Sequence, residues 1–281
     1  MALPDAAQQQ AAQQQAAQQQ AELQRLPLDA AALTARLVRP GGLWREIRVT
    51  GETGSTNADL LEQARAGAAE GLVLVAETQT AGRGRLGRSW SSPPRAALAC
   101  SVLLRPAVPP ASRAWLPLLT GIAVAAALRA ETGVTATLKW PNDVLVADRK
   151  IAGILAEAHD DAIVVGVGLN VTLTGAELPV PTATSLLLED AACLDRARLL
   201  AAVLTELGGR YAAWTARPDA AVLRAEYLRW CVTVGREVWV ELPGGARLTG
   251  TAADVDETGR LAVRTGSGTT LVGAGDVVHV R

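Results

Sequence analysis

The nine residues GRGRLGRSW, Gly82 to Trp90, constrain this chain more than any other stretch. Gly82, Gly84 and Gly87 fit the pattern G-x-G-x-x-G. A dinucleotide site of that type needs a strand before the loop and a helix opening at the third glycine. The apolar run GLVLVAETQT (71–80) supplies the strand. The helix is missing, because SWSSPPRA follows and Pro93-Pro94 stops a helix within two turns. No acidic residue closes a strand about twenty positions on, and no G-x-x-x-x-G-K-[ST] loop is present. A doubly wound nucleotide-binding fold is therefore excluded. What remains is a flexible loop whose charge comes from Arg83, Arg85 and Arg88. Three unliganded guanidiniums repel one another, and an anion between them replaces repulsion with bidentate bonds. Such a loop should be mobile when empty and ordered over its ligand. A solvated arginine-rich turn, or an RNA-binding segment, is the competing reading.

The order of the other elements argues for an α+β fold. LWREIRV (43–49) and AALACSVLLRP (96–106) read as strands, and KIAGILAEA and DAIVVGVGLNV read as a hairpin joined through His159-Asp160-Asp161. Helices are expected after Ser55 or Thr56, over 112–131, from Asp195 to about Trp214, and from Asp219 to about Trp230. After Cys231 the texture changes to five short runs, REVWVEL, ARLTGTAADVD, RLAVRT, TTLVGAG and DVVHVR, separated by Gly-rich turns. They predict a small barrel over 232–281 that packs on the larger unit, 28–231. Residues 1–27 contain AAQQQ three times over and read as a low-complexity, disordered tail.

Composition narrows the function. Of 281 residues 49% are hydrophobic and the net charge is −1, so no global field draws in nucleic acid. The three cysteines are unclustered, which argues for a reducing compartment and against a disulfide framework or zinc site. Two histidines make a His-based metal site or triad improbable, and the reading assigns no metal ligand. The longest apolar stretch, between Arg113 and Arg129, is interrupted by Pro117, Thr120 and Gly121 and reads as too short and broken to span a membrane. A cytoplasmic protein is expected. Of the 27 basic residues only Lys139 and Lys150 are lysine, and both fall in LKWPNDVLVADRKIAGIL (138–155). Lys139 sits at a strand end beside Pro141 and needs a negative partner, either a ligand or a carboxylate such as Glu157.

With GSTN, AETQTAGRGRLGRSW, KWPNDV, RKIAGILAE and VVGVGLNV in this order and spacing, the chain resembles the biotin protein ligases from about Leu28 to Arg281. The resemblance implies a mixed-sheet catalytic domain like that of class II aminoacyl-tRNA synthetases, followed by an SH3-like β-barrel. It implies that biotin and ATP, with Mg²⁺ accompanying the nucleotide, give biotinyl-5′-AMP and pyrophosphate, and that a lysine of a biotin carboxyl carrier domain then displaces AMP. Arg83 and Lys139 would be catalytic, bridging the biotin carboxylate and the α-phosphate. Biotin would be held by Ser55, Thr56, Asn57, Gln79, Gly82, Arg83, Gly84, Arg85, Lys139, Gly153 and Gly168, with Gly82 giving close backbone approach. Arg85, Arg88, Trp90, Asn142, Lys150 and Asn170 would contact ATP or the adenylate. Plainer readings stand beside these. Ser55 and Thr56 serve as a helix cap, Trp90 as a core anchor, Asn170 as a turn closure, Gly153 and Gly168 as strand-packing sites, and Lys150 as a surface charge. The form without a DNA-binding module is expected, and a homodimer is left open. A lipoate-type acyl ligase is the nearest rival.

Overall fold

A computed structural model describes residues 25–242, 245–273 and 275–280. The AAQQQ repeats lie outside the described residues. The described fold already includes Arg25 and Leu26, which the sequence reading places in the tail. Arg25 pairs with Glu177 at 2.7 Å, and the Leu26 carbonyl accepts from Arg196. Helix α1 (Ala30–Leu37) follows, with Asp29 accepting the N–H groups of Ala31 and Ala32 as its cap.

Seven strands form one mixed sheet: β1 (Glu46–Thr50), β2 (Leu72–Ala76), β3 (Ala97–Leu104), β4 (Ala136–Lys139), β5 (Asp143–Val146), β6 (Arg149–His159) and β7 (Ala162–Asn170). Their order is β1-β2-β3-β7-β6-β5-β4. Only the β1–β2 pair is parallel; the others are antiparallel. The β6–β7 hairpin turns at Asp160-Asp161, with His159 opposite Ala162, as the alternation predicts. β2 ends at Ala76 rather than running to Thr80 because Glu77 turns to other work. Its carboxylate receives the Leu28 N–H at 2.7 Å and pairs with buried Arg196 at 2.7 Å.

Ser55 caps α2 (Thr56–Arg65), which buries Leu60, Leu61 and Ala64 against the sheet. Helix α3 (Trp115–Thr132) ends at Gly133, which adopts the left-handed conformation (φ 76°) that glycine accepts without strain. It runs unbroken through Pro117 and Gly121. Pro117 lies in the first turn, where no intrahelical bond is lost. A Cβ on Gly121 would stand 3.3 Å from the Leu138 side chain, so the glycine brings helix and β4 close. The segment Pro110–Thr132 is, by length and composition alone, long and apolar enough to cross a membrane. However, 67% of its most apolar window is buried inside the protein, as the central helix of the core. Helices α4 (Arg196–Ala216) and α5 (Ala220–Trp230) complete this part, capped by Asp195 and Asp219.

The five C-terminal runs are all strands: β8 (Glu237–Glu241), β9 (Arg247–Val255), β10 (Leu261–Thr265), β11 (Gly268–Val272) and β12 (Asp276–His279). They form an antiparallel sheet in the order β11-β10-β9-β8-β12. Two indole N–H groups tie it to the larger unit: Trp115 donates to the Glu257 carbonyl at 2.6 Å and Trp140 to Gly259 at 2.9 Å.

Candidate active site

A cleft of about 910 Å³ opens where the ends of β4, β6 and β7 meet the arginine loop and β12. Its floor is neutral and polar. Gln79 Oε1 accepts from the Thr56 N–H at 2.9 Å and stands 3.0 Å from the Thr56 hydroxyl. Ser101 donates to Asn57 Oδ1 at 2.6 Å and lies 2.7 Å from the Thr56 hydroxyl. Asn57 in turn donates to Glu157 at 2.8 Å. Ser55, Thr56, Asn57 and Ser101 are buried. Gly166 makes room for this network, since a Cβ there would fall 2.3 Å from Asn57 Oδ1. Ser55 also caps α2, but only with a 3.5 Å contact.

The arginine loop is a small hairpin. Gly84 N–H donates to the Arg88 carbonyl, Trp90 N–H donates to the Gly82 carbonyl, and Arg83 bridges Ser89. The tip turns through Leu86 and Gly87 with φ of 55° and 74°. A Cβ on Gly82 would stand 2.3 Å from the Trp90 carbonyl. The close approach that Gly82 permits is therefore between the two arms of the loop, and Gly82 is not among the residues lining the cleft.

Each arginine is tethered differently. Arg83, half-exposed, reaches Glu157 at 3.4 Å. Arg85 donates to Asn142 Oδ1 at 3.1 Å and to the Gly275 carbonyl at 3.3 Å. Burial lowers the Arg85 guanidinium below its ordinary value, partly offset by Asp276 and Asp143. Arg88 pairs with Asp276 of β12 at 3.1 Å.

Lys139 ends β4, opposite Asp143. Asp143 pairs instead with Lys150 at 2.6 Å, and Glu157 with Arg83. Among the described residues no carboxylate lies within ion-pair distance of the Lys139 ammonium, which lines the cleft. The sequence reading that would give it Glu157 does not hold. A half-buried ammonium without a carboxylate is held ready for an anion from outside.

Trp90 folds its ring over the β6 and β7 glycines. A Cβ on Gly168 would stand 2.4 Å from the indole and one on Gly153 3.4 Å. The Lys150 ammonium is 5.9 Å from the ring centroid. These two glycines thus make space for Trp90 in this conformation. Asn142 donates to the Ile154 carbonyl at 3.0 Å, and buried Asn170 donates to the Thr184 carbonyl at 2.8 Å, so both also brace loops. Of the sequence-predicted residues, all except Gly82 line the one cleft.

Sequence reasoning did not single out Ser101, Gly166, Arg236, Asp276 or His279, which line it too. The lone serine in ALACSVLL was the available signal for Ser101. Cys100 backs the cleft, but burial pushes its thiol up to about 12, so it is no nucleophile. Six cations (Arg83, Arg85, Arg88, Lys139, Lys150 and Arg236) face three carboxylates (Asp143, Asp148 and Asp276) in the lining. A protein of net charge −1 thus concentrates positive potential at one place, which suits a polyanionic ligand.

Residues 50–171 match the Biotin/lipoate A/B protein ligase family, and residues 233–280 match the Biotin protein ligase C terminal domain. The chain is 47% identical to the biotin–[acetyl-CoA-carboxylase] ligase of Mycobacterium tuberculosis over 265 residues, 91% of this chain and 97% of that protein. The chain belongs to the biotin protein ligase family. Among solved structures, the biotin protein ligase of Aquifex aeolicus in complex with biotin and ATP is 30% identical, with a TM-score of 0.72 over 85% of this chain and 100% of that one. The Leishmania major biotin protein ligase in complex with biotinyl-5-AMP is 25% identical, with a TM-score of 0.58 over 84% and 99%. This biotin protein ligase family member thus shares its fold with relatives whose structures hold the acid, the nucleotide and the mixed anhydride.

Proposed function

We propose that the cleft activates biotin with ATP and passes the biotinyl group to a lysine of a biotin carboxyl carrier domain. The biotin carboxylate attacks the α-phosphate, forming biotinyl-5′-AMP and releasing pyrophosphate. The carrier ε-amine then attacks the acyl carbon and AMP departs with the bonding electron pair. In the first step an anion meets a polyanion, so fixed positive charge must stand where the two touch. The single observation that carries this reading is Lys139. It lines the same cleft as Arg83, and among the described residues no carboxylate pairs with it.

The neutral floor supports biotin over a lipoate-type acid. Thr56, Asn57, Gln79 and Ser101 offer donors and acceptors that suit a ureido ring, whereas a dithiolane would leave them without partners on the ligand. Arg83 and Lys139 would hold the carboxylate and α-phosphate, Arg85 and Arg88 the outer phosphates, and Trp90 the adenylate. Ser55, Gly84 and Gly153 would line the biotin side, and Asn142, Lys150 and Asn170 the nucleotide side. Mg²⁺ would arrive with the nucleotide. Among the described residues no group of three His, Cys, Asp or Glu side chains is placed to hold an ion. We read 28–231 as a catalytic domain of the class II aminoacyl-tRNA synthetase type and 232–281 as an SH3-like barrel; the family match beginning at residue 233 supports that boundary.

The test is incubation with biotin, ATP and a carrier domain, followed by the mass of the carrier. Gain of one biotinyl group at one lysine is expected. An unchanged carrier, with a known ligase positive in parallel, would overturn the reading.

A further inference from the structure

β4 presents Lys139 to the cleft, and the residues on either side of it are held by the C-terminal part of the chain. The Leu138 carbonyl accepts the Val232 N–H at 2.8 Å. The Trp140 N–H donates to the Thr233 hydroxyl oxygen at 2.9 Å, and its indole N–H donates to the Gly259 carbonyl. Thr233 is fully buried. The same hydroxyl oxygen lies 3.1 Å from His279 Nε2, on β12.

The proton on that imidazole can be placed. Arg236 Nη1 stands 3.2 Å from His279 Nδ1, and a guanidinium only donates. Nδ1 therefore accepts, the ring is neutral, and Nε2–H donates to Thr233. The Thr233 oxygen thus receives two hydrogen bonds, one from the backbone beside Lys139 and one from the C-terminal sheet. Arg236 is itself fixed by Asp148 at 3.1 Å. The charges facing His279 are Lys139, Arg236 and Asp148; burial first, then the two cations, bring its pKa down to about 4. A neutral ring beside Lys139 adds no competing anion and no repelling cation.

We propose that Thr233 and His279 are positioning residues for Lys139, through which the C-terminal sheet sets where the ammonium meets the reacting phosphate. This rests on the role given to Lys139 above, and it assigns the C-terminal sheet a part in adenylation. It differs from a mere packing seam because its effect must pass through the lysine side chain.

The experiment is a double-mutant cycle read by biotin-dependent ATP–pyrophosphate exchange. Thr233→Val leaves the Trp140 N–H unpaired and should slow exchange about 10-fold, while Thr233→Ser, which keeps the hydroxyl, should recover most of the rate. In a Lys139→Ala background, followed at enzyme concentrations that make the residual rate measurable, Thr233→Val should change nothing further. Equal loss in both backgrounds would overturn the proposal. If Thr233→Val does not fold, His279→Leu against His279→Gln runs the same cycle, since glutamine both accepts and donates. Unchanged exchange in Lys139→Ala alone would instead overturn the role of the lysine itself, so the two failures are distinguishable.

Discussion

Glu157 accepts from Arg83 at 3.4 Å, and among the described residues no carboxylate pairs with Lys139. The arginine thus sits on a half-exposed partner. In the proposed reading, ligand binding exchanges the Glu157 contact for a substrate carboxylate or phosphate. Glu157→Gln removes the competing charge but keeps an acceptor for Asn57. Exposed pairs of this kind are worth about 0–1 kcal/mol, so binding of a non-hydrolysable biotinyl-adenylate analogue should be unchanged or up to about 5-fold tighter by calorimetry. Weakening by more than about 10-fold would show that Glu157 itself supports the ligand.

Gly166→Ala tests the polar floor. The new Cβ would fall 2.3 Å from Asn57 Oδ1, an atom held by a 2.6 Å bond from Ser101. Asn57 cannot yield without breaking its bonds to Ser101 and Glu157. Biotin affinity should drop by about 10-fold or more, since a buried network that loses one member leaves others unpaired. Titration calorimetry with biotin alone checks this; wild-type affinity would remove Asn57 and Ser101 from the biotin-binding floor.

The pH dependence of stability reports on His279. Its ordinary value is 6.5 and its folded value about 4. Between those values the unfolded chain binds a proton that the folded chain refuses, so this residue makes stability fall as pH drops through the window, and it contributes no pH dependence above it. Urea unfolding of wild type and His279→Gln should give curves that run parallel above pH 6.5 and diverge below it, with wild type losing more. Curves parallel throughout would mean that the ring titrates normally and does not hold the neutral form that the bond from Arg236 requires.

Much of the candidate site was legible because its residues fall at a helix start, in a glycine loop and on neighbouring strands, where local pattern decides placement. The hairpin of β6 and β7 follows from alternation around Asp160-Asp161, and it brings Gly153 directly opposite Gly168. Pro93-Pro94 correctly excluded a helix after the glycine loop, and the chain instead enters β3 at Ala97. Partner choice among charges was not legible. Glu157 could be foreseen as a carboxylate near the site, but which cation it takes depends on how β6, β5 and the arginine loop are stacked, a matter of three-dimensional register. The same holds for Arg236, Asp276 and His279. They lie about 90 to 190 residues beyond the motifs they join, and only the packing of the second sheet brings them in. The helix expected over 112–131 is α3, Trp115–Thr132, where Pro117 sits in the first turn and Gly121 against Leu138.

The measurement that tests the whole account most directly is biotin-dependent ATP–pyrophosphate exchange by Lys139→Ala beside Arg83→Ala and Arg83→Lys. Convergent charge at one point predicts that Lys139→Ala slows exchange by about 100-fold or more while biotin still binds. It predicts that Arg83→Ala lets the adenylate leak in a quench-and-chase assay, and that lysine at position 83 restores retention only in part, because a point charge cannot reproduce a bidentate contact. Full exchange activity in Lys139→Ala would contradict it, since the lysine proposed to meet the α-phosphate would then have no part in joining the two anions.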